Sequence, residues 1–175
     1  AGLLALNHVP DSLAVVGAGY IGMELSTAFA KLGSDVTVVE ALPEALPGYE
    51  DDVTRVVRDH AADVGVEFHF KQRASGVADG PDGRAVLETE TEDGTNRHPA
   101  DAVLVAVGRE PVTDTVNLDA IGLEPDADGF LAVDEQCRTD VESVFAVGDV
   151  AGEPMLAHRA YREGVVAAAV AAGDP

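Results

Sequence analysis

Apolar runs and amphipathic stretches alternate through the first seventy residues. Leu13–Val16 is unbroken apolar sequence and predicts a buried strand. It runs into Gly17-Ala18-Gly19-Tyr20-Ile21-Gly22, after which Met23, Leu25, Ala28, Phe29 and Leu32 recur at helical spacing. Gly33 stands where a helix C-terminus favours glycine, so the pattern predicts a helix over Met23–Leu32. Val36–Val39 is rich in β-branched residues and unbroken, as a buried parallel strand should be. Pro43 and Pro47 mark a loop. Asp51–Val64 then reads as a helix whose acidic first turn suits its dipole, and Val66–Phe70 reads as the next strand.

The texture changes between residues 71 and 100. Asp79-Gly80-Pro81-Asp82-Gly83 and Glu92-Asp93-Gly94 are turn signals, and they separate strand-like runs at Arg84–Thr91 and Thr95–His98. That predicts an antiparallel meander set into an α/β pattern. Ala102–Val107 returns to buried-strand character and ends at Gly108. Thr113–Asp134 is acidic and loop-like, Val144–Val147 reads as a last strand entering Gly148-Asp149, and Tyr161–Ala172 reads as an Ala-rich helix. The fold class expected is α/β: an open, parallel, Rossmann-type sheet with an antiparallel β-meander on its crossover, over residues 1–112. Residues 113–175 form a separate segment.

Charge changes the picture. The 175 residues carry 32 acidic and 11 basic side chains, a net charge of −21, with Lys31 and Lys71 the only lysines. Phosphates are repelled over most of such a surface, which excludes an ordinary nucleic-acid-binding protein. The acids are dispersed along the whole chain, a texture that suits concentrated salt, where self-repulsion is screened within about 3 Å at 1 M. One cysteine, Cys137, excludes an internal disulfide and a thiol-based zinc cluster. Val165–Ala172 is too short for a membrane span, and Ala1–Leu6 lacks a basic leader, so a cytoplasmic setting is expected. The missing initiator methionine and the ending at Gly173-Asp174-Pro175 suggest a piece of something longer.

Two constellations carry chemistry. The first is Gly17-x-Gly19-x-x-Gly22 with Glu40 eighteen residues beyond the third glycine. Gly17 permits the tight turn, Gly19 lets the backbone approach a pyrophosphate, and Gly22 lets helix and strand pack closely. The helix N-terminus supplies amides and partial positive charge, while Glu40 accepts hydrogen bonds from a ribose diol and repels a 2′-phosphate. The bland alternative is an ordinary strand-to-helix turn. The second is Thr139-x-x-x-x-Val144-Phe145-Ala146-Val147-Gly148-Asp149, which delivers a carboxylate to ligand hydroxyls or is simply a strand ending in a capped turn. Cys137 reads as a structural thiol, and His8, His60, His69 and His98 as structural residues without a paired carboxylate. No metal site is expected.

With Gly17–Leu25 and Val36–Glu40 come Ala106-Val107-Gly108-Arg109-x-Pro111, Phe145–Asp149 and Pro154-Met155-Leu156-Ala157-His158. In this order they resemble the middle of the dihydrolipoamide dehydrogenase family, flavin-dependent pyridine nucleotide-disulfide oxidoreductases that pass electrons from dihydrolipoamide through FAD to NAD. The resemblance implies that Gly17, Ala18, Gly19, Tyr20, Ile21, Gly22, Met23 and Glu24 line the NAD pyrophosphate and nicotinamide. It also places Glu40 on the adenosine ribose, Ala74 beside adenine and Gly108 against the cofactor. On the flavin side, Asp149 binds FAD, Met155, Leu156, Ala157 and His158 lie along the isoalloxazine, and residues 113–175 return to the FAD-binding domain. Implied partners are the remainder of the same enzyme, a second subunit in a homodimer, and the lipoyl domain of 2-oxo-acid dehydrogenase complexes. The family's Cys-x-x-x-x-Cys dithiol and His-Glu base do not occur in this sequence, so no residue here is expected to be catalytic. Other readings are a mercuric or glutathione reductase, or a non-catalytic nucleotide-binding module; the flavin half-site argues against the last.

Overall fold

The computed structural model describes residues 2–80 and 82–174. The chain divides into two compact units, Ala1–Val107 and Gly108–Pro175. The first unit begins with β1 (Ser12–Val16), α1 (Tyr20–Lys31), β2 (Asp35–Glu40), α2 (Asp51–Asp63) and β3 (Val66–Phe70). It continues with β4 (Arg73–Asp79), β5 (Ala85–Thr91), β6 (Gly94–Ala100) and β7 (Ala102–Val105). One sheet has the order β3-β2-β1-β7 with every pairing parallel; the other is the antiparallel meander β4-β5-β6.

Both faces of the central strand β1 are covered, which is why Leu13–Val16 reads as a solid apolar run. Leu13, Val15 and Val38 pack with Met23 and Phe29 of α1 and Ala61 of α2. Their neighbours Ala14, Val16 and Val39 turn the other way and pack with Leu87 and Ala100 of the meander. Each of the valine, leucine, methionine and phenylalanine side chains, taken fully out of water, contributes about 1.5–3 kcal/mol. Crosswise, the ladder sets Val15 opposite Val38 on one side and Leu104 on the other.

The structure departs from the periodicity at identifiable places. Helix α1 starts at Tyr20, three residues before the expected Met23, because Gly19 caps it and accepts the Met23 N–H at 2.9 Å. Strand β4 is additional: its sequence lacks alternation, it is largely exposed, and it carries a bulge between Ala74 and Gly76. Strand β6, the opposite edge, contains Pro99. Strand β7 stops at Val105, two residues short of the expected Val107.

In the second unit, the expected strand Val144–Val147 is not one. Phe145 makes a single antiparallel bridge to Arg138, and Cys137 and Ser143 have φ of 62° and 65°, which breaks extension on both sides. Short 3₁₀ turns occupy Leu118–Ile121 and Gly148–Ala151. Helix α3 (Ala157–Ala171) begins four residues before the expected Tyr161, so Ala157 and His158 form its first turn. Among the described residues, no helix is long and apolar enough to cross a membrane.

A polar wedge lies beside the meander. Thr37, Glu67, His69, Gln72, Asn96 and His98 are among the residues lining a cavity of about 400 Å³. Fully buried Thr89 donates its hydroxyl to Gln72 Oε1 at 2.9 Å, and His98 Nε2 lies 3.0 Å from the same oxygen. The His69 and His98 ring centroids are 4.7 Å apart. Against expectation, His69 has a carboxylate partner: its Nε2 lies 2.9 Å from Glu67 Oε1, because alternate residues of β3 share a face.

Burial, reinforced by neighbouring His69 and opposed by Glu67, holds the His98 pKa below the ordinary imidazole value of 6.5. The unfolded chain therefore binds this proton more readily than the folded one. Stability is full above about pH 6.5 and declines as the pH falls below it. In molar salt, the melting temperature of the protein should fall between pH 7.5 and 5.5, and a His98→Gln variant should fall less steeply. Parallel curves for the two would remove His98 from the account.

Candidate functional site

Strand β1 delivers the chain into a turn whose first and third glycines are required by the protein itself. Gly17 has φ of 99°, and a Cβ on it would lie 2.6 Å from the Ala106 carbonyl oxygen. A Cβ on Gly22 would lie 2.0 Å from the Gly17 carbonyl oxygen, so α1 can approach β1 only with glycine there. Gly19 differs: a Cβ would meet nothing within 4 Å. The space beside Gly19 is open, so packing within the protein does not require glycine there.

Helix α1 starts at this turn with no side-chain cap and no acid in its first turn. Its leading amides therefore lack a side-chain partner at the positive end of the helix dipole, the arrangement that favours an anion. At the end of β2, the Glu40 carboxylate accepts the Ala18 N–H on Oε2 at 2.7 Å and the Leu42 N–H on Oε1 at 2.9 Å. Two amides fix the carboxylate, and each oxygen keeps a lone pair for a hydroxyl donor. The Glu40 carbonyl accepts the Gln72 N–H at 2.9 Å, which ties the start of β4 to this edge and sets Ala74 two residues beyond. Thus Gly17–Glu24, Glu40 and Ala74 gather at the carboxyl end of the parallel sheet, where open α/β sheets bind ligands. Ala18 and Met23 are buried in the core, so each contributes backbone to the turn; Glu24 is exposed one helical turn on.

The second unit assembles the other expected residues. Asp149 lies in the 3₁₀ turn after Val147 and pairs with Arg109. The same guanidinium donates to the Met155 carbonyl oxygen at 3.2 Å, so Arg109, adjoining Gly108, joins Asp149 to the Met155–His158 segment. Glu163 of α3 accepts the Gly148 N–H at 2.7 Å and the Arg159 Nε–H at 2.6 Å. Arg159 donates in turn to carbonyls of Gly152 and Pro154. Sequence reasoning quoted Arg109 inside a motif without giving it a role, and it missed Arg159 and Glu163, whose i,i+4 spacing on a helix was the available signal. Cys137 is buried, its thiol donates to the Glu163 carbonyl oxygen at 3.7 Å, and burial pushes its pKa up. That is the opposite of a reactive thiolate. No group of three His, Cys, Asp or Glu among the described residues could hold a metal ion.

A glycine turn from the first strand into a helix, an acid-tipped second strand and an antiparallel meander beside a parallel sheet define a Rossmann-type α/β fold. Residues 1–164 match the pyridine nucleotide-disulphide oxidoreductase family, and the chain belongs to it. Members use FAD and NAD. Among curated relatives, the chain is 58% identical over 172 residues to dihydrolipoyl dehydrogenase 2 of Haloarcula marismortui, and 42% identical over 176 residues to the dihydrolipoyl dehydrogenase of Bacillus subtilis. It is covered at 98% and 99% in these, but spans only 36% and 37% of their length. Among solved structures, LpdA from Mycobacterium tuberculosis superposes with a TM-score of 0.83 at 31% identity, covering 99% of this chain and 37% of that one. Haloarchaeal relatives support the reading of the dispersed acids as an adaptation to salt.

The three glycines should respond differently to an added methyl group. Gly22→Ala meets backbone, which cannot yield cheaply, and should destabilise by about 3 kcal/mol or more. Gly19→Ala should leave stability within about 1 kcal/mol. Chemical denaturation in molar salt measures both, and equal losses would contradict the division between a packing glycine and a ligand-facing one.

Proposed function

We propose that the chain is the NAD-binding portion, with part of the flavin-binding portion, of a dihydrolipoyl dehydrogenase. Residues 1–112 would form the NAD-binding domain, and residues 113–175 the return segment of the FAD-binding domain. The observation that carries this is the uncapped glycine turn with open space beside Gly19 and a Glu40 carboxylate held by two amides. In this reading the amides at the start of α1 hold the pyrophosphate, and Glu40 takes the adenosine ribose hydroxyls on its remaining lone pairs. Ala74 borders adenine, and Tyr20, Ile21 and Glu24 border the nicotinamide.

Asp149, fixed by Arg109, receives hydroxyl groups of FAD, while Gly108 and Met155, Leu156, Ala157 and His158 flank the flavin. The flavin, when bound, relays electrons between a dithiol and the nicotinamide. The chain's own share is to bind, orient and exclude water; the dithiol and the base belong to sequence outside these residues. The whole enzyme in this reading is a cytoplasmic homodimer that takes its electrons from the lipoyl domain of a 2-oxo-acid dehydrogenase complex. The haloarchaeal relatives named dihydrolipoyl dehydrogenase support that choice over a mercuric or glutathione reductase.

Cofactor choice tests the reading. Ala41, Leu42 and Pro43 follow Glu40 with no cation to receive a 2′-phosphate. Calorimetry in molar salt should show NAD(H) bound at least about tenfold tighter than NADP(H), since a phosphate facing an unpaired carboxylate costs more than 1.4 kcal/mol. Equal affinities would refute it.

Salt gives a second test. The Debye length is about 30 Å at 0.01 M and about 3 Å at 1 M, so the repulsion among 21 excess negative charges falls to near neighbours in molar salt. The melting temperature and the affinity for anionic NAD should both rise with salt, opposite to a phosphate site on a basic protein. Circular dichroism and calorimetry across that range decide it; a flat or falling melting temperature means the acidity is incidental.

A further inference from the structure

The loop joining β2 to α2 grips the glycine turn, and the grip is fastened from outside the site. Ala18, fully buried, has both peptide groups engaged by this connection. Its N–H goes to Glu40 Oε2 at 2.7 Å, and its carbonyl accepts the Leu46 N–H at 2.8 Å. Leu46 is buried with φ of 51°, a conformation leucine adopts only where its surroundings impose it. Two residues earlier, Glu44 accepts the Ala45 N–H on Oε1 at 3.0 Å and the Arg58 Nη1–H on Oε2 at 2.6 Å. Arg58 projects from α2 and also holds Asp59 at 2.8 Å. A continuous series of contacts therefore runs from α2 through Glu44 and the strained Leu46 to the peptide that opens the pyrophosphate turn.

We infer that Glu44 and Arg58 are positioning residues that latch the β2–α2 loop onto the glycine turn. They set affinity for the phosphate-bearing part of the dinucleotide without touching it. This rests on the dinucleotide-binding reading of the turn. The pair is partly exposed, with side-chain exposures of 30% and 43% for Arg58 and Glu44, and ion pairs so placed add little to global stability. What the latch holds is local: the direction of the Ala18 peptide and, through it, the amide row that begins α1. A contact at 2.6 Å lies inside the ~3 Å screening length of molar salt, so the latch persists where longer-range pairs fade.

The test uses the full chain in molar salt and two probes, ADP-ribose, which carries the pyrophosphate, and adenosine, which carries only the ribose and base. Glu44→Ala and Arg58→Met should each weaken ADP-ribose binding about three- to tenfold, a loss of the size ascribed to a single ordinary hydrogen bond. Adenosine affinity should change less than twofold, and the melting temperature should stay within a few degrees of the parent. Arg58→Lys, which keeps the charge, should recover most of the lost affinity. If the parent binds both probes and the variants bind ADP-ribose equally well, the latch is refuted while the dinucleotide site stands. If both probes and the melting temperature fall together, the pair is merely structural and the inference is likewise overturned. A parent protein that binds neither probe removes the dinucleotide site itself, and the latch with it.

Discussion

The Gly17 carbonyl approaches Gly22 so closely that even one carbon atom added to Gly22 would lie 2.0 Å from its oxygen. Everything at the carboxyl end of the sheet follows from that contact. It brings the axis of α1 onto β1, lets Met23 and Phe29 reach the core beside Leu13 and Val15, and leaves the helix's uncapped amides facing outward. A site of this kind combines a rigid floor with an unfilled opening. The rigidity comes from side chains absent at Gly17 and Gly22, and the opening from the side chain absent at Gly19.

The parallel half of the fold was legible because both faces of the sheet are covered: Leu13–Val16 is apolar throughout, and Val36, Val38 and Val39 are buried whichever face they turn to. The meander was legible mainly through its turns. Strand β4 escaped because Arg73–Asp79 is held mainly by its backbone pairing with β5, and its sequence records little burial. Val144–Val147 misled for the converse reason. Apolar β-branched residues describe a segment fit to be a strand, but a strand also needs neighbours, and only Arg138 lies opposite Phe145.

The site divides in the same way. Gly17, Gly19, Gly22 and Glu40 were readable because each has a geometric or electrostatic requirement that few residue types meet. The polar ties were harder to read: those of Arg109 to Asp149 and Met155 span forty residues or more, while Arg159 to Glu163 and Glu67 to His69 are local pairs whose i,i+4 and i,i+2 spacings were the available signals. Composition foretold an acidic surface, but it did not foretell that six of the arginines are engaged by carboxylates.

The two edges of the meander bear on how strand edges are guarded in concentrated salt. Proteins in dilute solution are kept apart partly by net charge, and molar salt removes that protection just when it strengthens apolar association. Unpaired strand edges are then the natural place for molecules to join into ribbons. Here one edge, β4, is distorted by the bulge at Ala74/Gly76, and the other, β6, lacks an amide at Pro99. Both obstacles are matters of shape and missing donors, so neither weakens as ions accumulate. Steric guards of this sort do for a salt-adapted surface what electrostatic repulsion does for an ordinary one.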